Sequence, residues 1–93
     1  MQDVVADRTL EVSNGGILGT ATVRLGRPRQ SGDDEWACPV QILGLDDDEV
    51  RDVYGVDSLQ ALVLALQMVR ARVTTQPSGV QVTWMGMDDL GLG

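Results

Sequence analysis

Five acidic side chains in close succession are the first group that could do chemistry, because carboxylate oxygens bind hard cations. They are Asp46, Asp47, Asp48, Glu49 and Asp52. Their spacing lacks the alternating acids and the central glycine of an EF-hand loop. Acids are also favoured in the first turn of a helix, where they complement the positive end of its dipole. We therefore predict an exposed helical turn here, ended by Gly55, and no metal site.

The basic residues that cluster are Arg24, Arg27 and Arg29. Guanidinium groups spaced in this way can clamp a phosphate or a partner's carboxylate, which makes these three residues a candidate anion contact. The alternative is that they pair with the acids at positions 33–35, across the turn that follows. The sequence leaves both interpretations open.

The single cysteine, Cys38, falls on the apolar side of a strand-like pattern, in line with Trp36. A free cysteine at such a position is usually a small core residue. A cysteine nucleophile needs a base, and the sequence contains no histidine, the commonest general base and metal ligand. We therefore predict no catalytic residue, no metal and no cofactor, and a protein that is not an enzyme.

The charge balance narrows the classes of partner. Seven arginines and 14 acidic residues give a net charge of −7 in a chain of 93 residues. Such a chain is a poor candidate for binding nucleic acid or an anionic membrane. The first residues lack a signal-peptide pattern, and the uncharged stretch 58–69 is too short to span a bilayer. With one cysteine, we expect a cytoplasmic protein, and the use of arginine without lysine suggests a GC-rich bacterial genome.

The residues from Gly55 to Leu62 resemble the modification motif of acyl- and peptidyl-carrier proteins. In that family the serine of an Asp-Ser-Leu triplet carries phosphopantetheine and opens a helix. The resemblance implies that Ser58, between Asp57 and Leu59, would carry the arm. A phosphodiester there would meet the backbone N–H groups of a helix N-terminus. The alternative is a helix cap, since carrier proteins are all-helical and the sequence before this motif is not.

Alternation of apolar and polar residues predicts strands over 4–13, 20–24, 36–43 and 80–85. Asn14-Gly15-Gly16 predicts a tight turn that joins the first two strands into an antiparallel hairpin. Residues 26–35 are polar and are predicted to form a loop. Arg8 falls on the apolar side of the first strand, so we expect it to lie near an edge or to pair with an acid.

A helix is predicted over 59–73, because apolar residues recur there at three- and four-residue intervals. The stripe expected to face the sheet is Leu59, Leu62, Leu66, Val69 and Val73. A second apolar side cannot be covered by the same sheet, so we expect a partner, a second copy or the chain's own loops and tail to cover it. With the two tryptophans, which are either core residues or partner anchors, the predicted interface is Ala61, Leu64, Met68, Trp36 and Trp84.

Four short motifs occur along the chain, each of them once. They are Trp36-Ala37-Cys38-Pro39, Ile42-Leu43-Gly44, the run from Tyr54 to Leu62, and Thr83-Trp84-Met85-Gly86. In this combination the chain resembles, over about 5–90, a family of short bacterial single-domain proteins of unknown function. The resemblance implies a small cytoplasmic α+β domain, and it supplies no activity and no catalytic residue.

These patterns predict one α+β domain over 1–93, with about four mainly antiparallel strands and one long helix on one face, in the order β-β-β-α-β. The predicted function is a non-enzymatic acidic module that binds a protein partner or itself, as small immunity proteins and antitoxins do. The alternative is a phosphopantetheine-type carrier that is modified at Ser58.

Overall fold

The structure is a computed structural model that describes residues 1, 3–45 and 47–92. Over these residues the chain forms six strands and one helix. They are β1 (Val4–Asn14), β2 (Ile17–Gly26), β3 (Arg29–Gly32), β4 (Glu35–Leu43), β5 (Arg51–Gly55), α1 (Ser58–Thr74) and β6 (Val80–Thr83).

The predicted α+β class with about four strands is wrong. Half of the chain is strand and 19% is helix, and the strands form a sheet that curls into a half-barrel around one side of α1. The fold is therefore a β-rich fold with one helix. The two strands that the prediction missed are β3 and β5, both of which lie in segments rich in charged and polar residues.

The helical turn predicted from the acidic run is also wrong. Residues 47–50 form no regular element, and the residues expected at the end of that turn belong to strand β5, which pairs antiparallel with β4. The physical reason is that Val53 and Tyr54 favour a strand, in which both pair with β4 and Val53 packs against the core. Asp46 lies outside the described residues.

All the strand pairs are antiparallel, and β4 is the central strand. One edge of β4 pairs with β5. Along the other edge, the first part of β4 pairs with β3 and the last part pairs with β2. The break between β2 and β3 lies opposite Pro39, which has no N–H to donate to a ladder. A side chain at position 26 would collide with the ring of Pro39, so only glycine fits at this position.

The hairpin of β1 and β2 matches its prediction. Asn14 pairs with Ile17 across a two-residue turn, in which Gly15 and Gly16 have φ values of 57° and 89°. These positive values are those that glycine adopts without strain. β6 pairs with the far edge of β1 only over Glu11–Asn14.

The core lies between the sheet and α1. From β4 it contains Cys38, Val40 and Ile42, as the alternation predicts, and all three are fully buried. β1 and β2 add Leu10, Val23 and Leu25, α1 adds Ala61, Ala65, Val69 and Val73, and the segment after β6 adds Leu90. No helix in the described part of the chain is long and apolar enough to span a membrane.

Candidate functional site

The start of α1 is held by a reciprocal pair of hydrogen bonds. Asp57 is the N-cap, and its Oδ1 accepts from the backbone N–H of Gln60 at 2.7 Å. The side-chain Oε1 of Gln60 accepts in turn from the N–H of Val56, also at 2.7 Å. This arrangement resembles a capping box shifted by one residue: it satisfies the N–H of Gln60, which a helix start would otherwise leave unpaired, and that of Val56, just before the cap. Asp57 therefore explains the start of the helix without Ser58.

Ser58 occupies the first helical position and is exposed. Its hydroxyl makes no hydrogen bond to any described residue. The candidate modification site is thus an accessible hydroxyl next to the N–H groups of a helix N-terminus.

The buried face of α1 is not the one that the leucine pattern predicts. Four small or β-branched residues, Ala61, Ala65, Val69 and Val73, face the sheet. Small residues let the helix lie close to β5: a Cβ on Gly55 would lie only 2.9 Å from the Cα of Ala61. The predicted stripe was right for Val69 and Val73 and wrong for the leucines at 59 and 66, which are exposed.

The predicted interface residues on α1 do not form an exposed surface. Ala61 is fully buried against the sheet, so it cannot contact a partner. Leu64 and Met68 are half-buried, and Met68 packs against the core. The physical reason is that the sheet lies too close to α1 for leucines, so the alanines face it. The helix is therefore rotated about its axis relative to the predicted orientation.

The rotation exposes a different apolar surface, which we call the α1 stripe: Leu59, Val63 and Leu66. Their side chains are 69%, 45% and 37% exposed. The spacing of four and then three residues places them on one side of the helix, about two turns long. Val56, just before the helix, is exposed as well.

An open pocket of about 140 Å³ lies beside the α1 stripe, between the helix and the sheet. Leu66 belongs to both the stripe and the pocket wall. The other lining residues come from β1, β2 and the segment after β6: Ala6, Asp7, Arg8, Val23, Leu25, Gly91 and Leu92. The apolar surface therefore continues from the helix into a recess in the half-barrel.

Arg8 fixes the segment after β6 across the opening of the half-barrel. Its guanidinium carbon lies 3.8 Å from the centroid of the Trp84 ring. Its Nη1 donates to the carbonyls of Leu90 at 2.8 Å and Gly91 at 3.0 Å. Arg8 lies on the open edge of β1, which is one of the two predicted alternatives, since β6 pairs only with Glu11–Asn14. In place of an acidic partner it contacts an aromatic face and two carbonyl oxygens, a combination well suited to a guanidinium.

Both tryptophans are half-buried and pack against the core. Trp84 lies against Arg8, and a Cβ on Gly91 would collide with its ring. Trp36 lies at the start of β4 and pairs with Gly55 of β5. The positions of these two side chains suit the structural role better than the role of partner anchor.

Glu11 has a structural role that sequence analysis missed. Its carboxylate accepts hydrogen bonds from the N–H groups of Gly86 at 2.7 Å and Met85 at 3.1 Å. These bonds, that to Gly86 above all, lower the pKa of Glu11. They hold a tight turn in which Met85 and Gly86 both have positive φ. The Met-Gly pair was the signal for this turn, since glycine tolerates that conformation.

The basic cluster is only partly brought together. Arg29 of β3 donates to Asp52 of β5, which pairs with the opposite edge of β4, at 2.6 and 3.3 Å, rather than to the acids at 33–35. This hydrogen bond raises the pKa of Arg29. Arg27 lines the same open, polar pocket as Arg29 and Asp52, whereas Arg24 does not. Neither Arg24 nor Arg27 forms an ion pair within the described part of the chain.

Two residues of the acidic run, Asp47 and Asp48, accept hydrogen bonds from residues close to them in the sequence. Asp47 accepts two hydrogen bonds from Arg51 at 2.7 and 3.0 Å, and the nearby guanidinium lowers the pKa of Asp47 to about 2. Asp48 accepts from the N–H of Gly44 at 3.0 Å. No group of three or more possible metal ligands is found among residues 1, 3–45 and 47–92.

Cys38 is fully buried, and its Sγ lies 3.6 Å from the carbonyl oxygen of Gly26. Burial raises the pKa of the Cys38 thiol, with a smaller contribution from Asp52. A buried thiol with a raised pKa is a poor nucleophile, which agrees with the predicted role as a core residue.

The chain belongs to the family described as Domain of unknown function (DUF6968), whose sequence model matches residues 6–93. The predicted membership of an uncharacterised family is therefore confirmed. No curated protein and no solved structure matches the chain.

Proposed function

We propose that the chain is a non-enzymatic interaction module that binds a protein partner through the α1 stripe. The observation that carries the proposal is the alignment of Leu59, Val63 and Leu66 on one exposed side of α1, next to a recess in the half-barrel. Apolar side chains in a row beside a pocket form the kind of surface that buries a partner's anchor residue.

The charge distribution supports a partner with basic residues around an apolar contact. The helix carries no charge between Ser58 and Val69, whereas the whole chain carries −7. An apolar contact surface within an acidic protein favours encounter with a basic partner by long-range attraction. Small acidic immunity proteins and antitoxins bind basic toxins in this way, so an immunity- or antitoxin-like role in a bacterial cytoplasm is part of the proposal. The analogy is one of class.

The proposal is tested by placing one positive charge on the stripe and one elsewhere on the same helix. Leu59→Lys alters the stripe, and Ala71→Lys adds the same charge at an exposed position on another side of α1. Tagged wild-type chain and both variants are used to capture proteins from cells of the source organism, with quantitative mass spectrometry. A captured protein is then purified and titrated against each variant.

We expect Leu59→Lys to weaken binding by about tenfold or more, the usual effect of losing an interface anchor, while Ala71→Lys binds nearly as the wild type does. Circular dichroism and thermal unfolding should show that both variants fold. If every captured protein binds the two variants equally well, the α1 stripe is not the docking surface and the proposal is wrong.

The second candidate function is a carrier with phosphopantetheine on Ser58. It is favoured by the exposed hydroxyl of Ser58, which the helix cap does not use. Intact mass spectrometry after co-expression with a phosphopantetheinyl transferase tests this function, with Ser58→Ala as the control. An added arm in the wild type alone would support it, and an unmodified wild type would eliminate it.

A further inference from the structure

The end of the β1–β2 hairpin carries a strand edge that has no partner among the described residues. β2 pairs with β1 along its whole length, but with β4 only over Thr22–Leu25. The four residues from Ile17 to Thr20, which we call the tip edge, therefore have no strand paired with them on the β4 side, toward which alternate residues direct their backbone N–H and C=O groups. The carbonyl of Thr20 lies close to Gly44, so the open part of the tip edge is centred on Leu18. All four are exposed, and Ile17 and Leu18 are 77% and 81% exposed.

The tip edge lacks the features that usually protect the edge of a sheet. Natural edge strands are blocked by charged residues, by proline, by bulges or by a covering segment. The stretch 14–23 contains no charged residue and no proline, and its pairing with β1 is regular over Ala6–Asn14. An uncharged edge with regular pairing and two exposed apolar side chains is the kind that pairs with another strand.

The other open edges are protected in these ways. The edge strand β3 is short, irregularly paired and carries Arg29. The edge of β5 carries Arg51 and Asp52, and the part of β1 beyond its pairing with β6 carries Asp7 and Arg8. Beside β6 the chain turns back, so that Met87 bridges to Trp84, and Asp88 accepts a hydrogen bond from Gln81 at 3.3 Å. The contrast singles out the tip edge as the place where a strand can be added.

We propose that two copies of this chain associate by antiparallel pairing of their tip edges about a two-fold axis, which joins the two sheets into one. A two-fold axis brings the same edge of each copy together, so one uncharged edge supplies both sides of the contact. Ile17 and Leu18 alternate between the two faces of the strand, so each face of the joint gains an apolar contact.

Of the surfaces of this acidic chain, the uncharged tip edge is the one where contact with a second copy meets the least electrostatic repulsion. Each copy carries −7, so contact through an acidic surface would place like charges against one another. The tip edge contributes none of that charge, and the remaining repulsion acts at longer range, where salt screens it. Higher salt should therefore strengthen the dimer, whereas it should weaken binding of a basic partner at the α1 stripe.

The contact is short, so the dimer should dissociate on dilution. Sedimentation velocity from low to high micromolar concentration should show a wild-type chain that moves from monomer to dimer. Leu18→Lys places a charge on the tip edge and should stay monomeric over the same range. Val5→Lys places the same charge on an exposed residue at the opposite end of the hairpin and should dimerise as the wild type does.

Hydrogen exchange provides a second measurement that is specific for strand pairing. In the wild type, backbone amides in the tip edge should exchange more slowly at high than at low protein concentration. In Leu18→Lys their exchange rate should not depend on protein concentration. Ile17→Lys repeats the test at the other exposed side chain if Leu18→Lys fails to fold.

Two results would overturn the proposal: a wild type that is monomeric throughout, or tip-edge amides whose exchange does not depend on concentration. Leu59→Lys separates this proposal from the proposed function, because it should disturb partner binding and leave the dimer intact. Loss of the dimer in that variant, with retention in Leu18→Lys, would place self-association on α1 instead and refute the tip-edge contact.

Discussion

Replacing Gly55 by alanine tests how closely α1 is seated on the sheet. A Cβ at this position would lie 2.5 Å from the backbone nitrogen of Ala61 and 2.9 Å from its Cα. Ordinary contacts between such atoms are about 3.5–4.0 Å. Because the atoms that it meets belong to the helix backbone, no side-chain rotation can relieve the overlap. The first turn of α1 has to move away from β5 by about 1 Å.

The matched control is Gly32→Ala in β3. Gly32 also lies in a strand that pairs with β4, and a Cβ there would meet only the Cβ of Glu35, at 3.6 Å. Alanine in a strand is favoured over glycine by about 0.5–1 kcal/mol, so Gly32→Ala should be neutral or stabilising. Overpacking of the kind expected at Gly55 costs about 1–3 kcal/mol. The two variants should therefore differ by about 1.5–4 kcal/mol in free energy of unfolding.

Thermal unfolding followed by circular dichroism measures this difference. For a domain of this size, 1 kcal/mol corresponds to about 4–8 °C in Tm, so Gly55→Ala should melt at least about 6 °C below Gly32→Ala. A Gly55→Ala protein that melts within two or three degrees of the Gly32→Ala protein would refute the close seating of α1 on β5.

Three further predictions concern the segment after β6, the carboxylates and the thiol. Arg8→Met should lower the free energy of unfolding by about 2 kcal/mol in urea titrations, because it removes two charged hydrogen bonds to carbonyls and the contact with the Trp84 ring; an unchanged value would contradict this role. Glu11 and Asp47 have pKa values below their ordinary 4.5 and 3.8, so the unfolded chain binds more protons in acid. The stability that they contribute should be complete above about pH 4.5 and be lost as the pH falls toward 2, and Glu11→Gln or Asp47→Asn should make the fall of Tm shallower over that window; equal slopes would argue against these bonds. Cys38 should resist a thiol reagent at pH 8 in the native protein and react fully in denaturant, and rapid native labelling would show that the thiol is not buried.

Alternation located the strands that have one apolar face. Three of the residues aligned on β4, Cys38, Val40 and Ile42, are fully buried, as their spacing predicted. β5 escaped prediction because it begins with the charged pair Arg51 and Asp52, which hid a strand that is held by cross-strand pairing. β3 lies on the sheet edge with all its side chains exposed, so it has no hydrophobic pattern to read.

The predicted surface of α1 differs from the observed one for a reason that the helix sequence alone does not contain. Leucine spacing indicated one buried side, but the sheet approaches α1 through Gly55, where there is room only for small side chains such as Ala61. The partner strand thus decides which side of the helix faces inward. A glycine immediately before a helix that contains regularly spaced alanines was the signal for this close approach.

The contact between Arg8 and the carbonyls of Leu90 and Gly91 joins positions 82 and 83 residues apart along the chain. During synthesis on the ribosome, β1 and β2 can pair long before these carbonyls exist. The half-barrel should then remain partly folded, with Arg8 and Leu10 incompletely covered, until the segment after β6 has emerged from the ribosome. Contacts this distant in sequence form slowly. We therefore expect the closing of the half-barrel by the segment after β6 to be the final step of folding, and a stalled chain to remain exposed to proteases and chaperones until then.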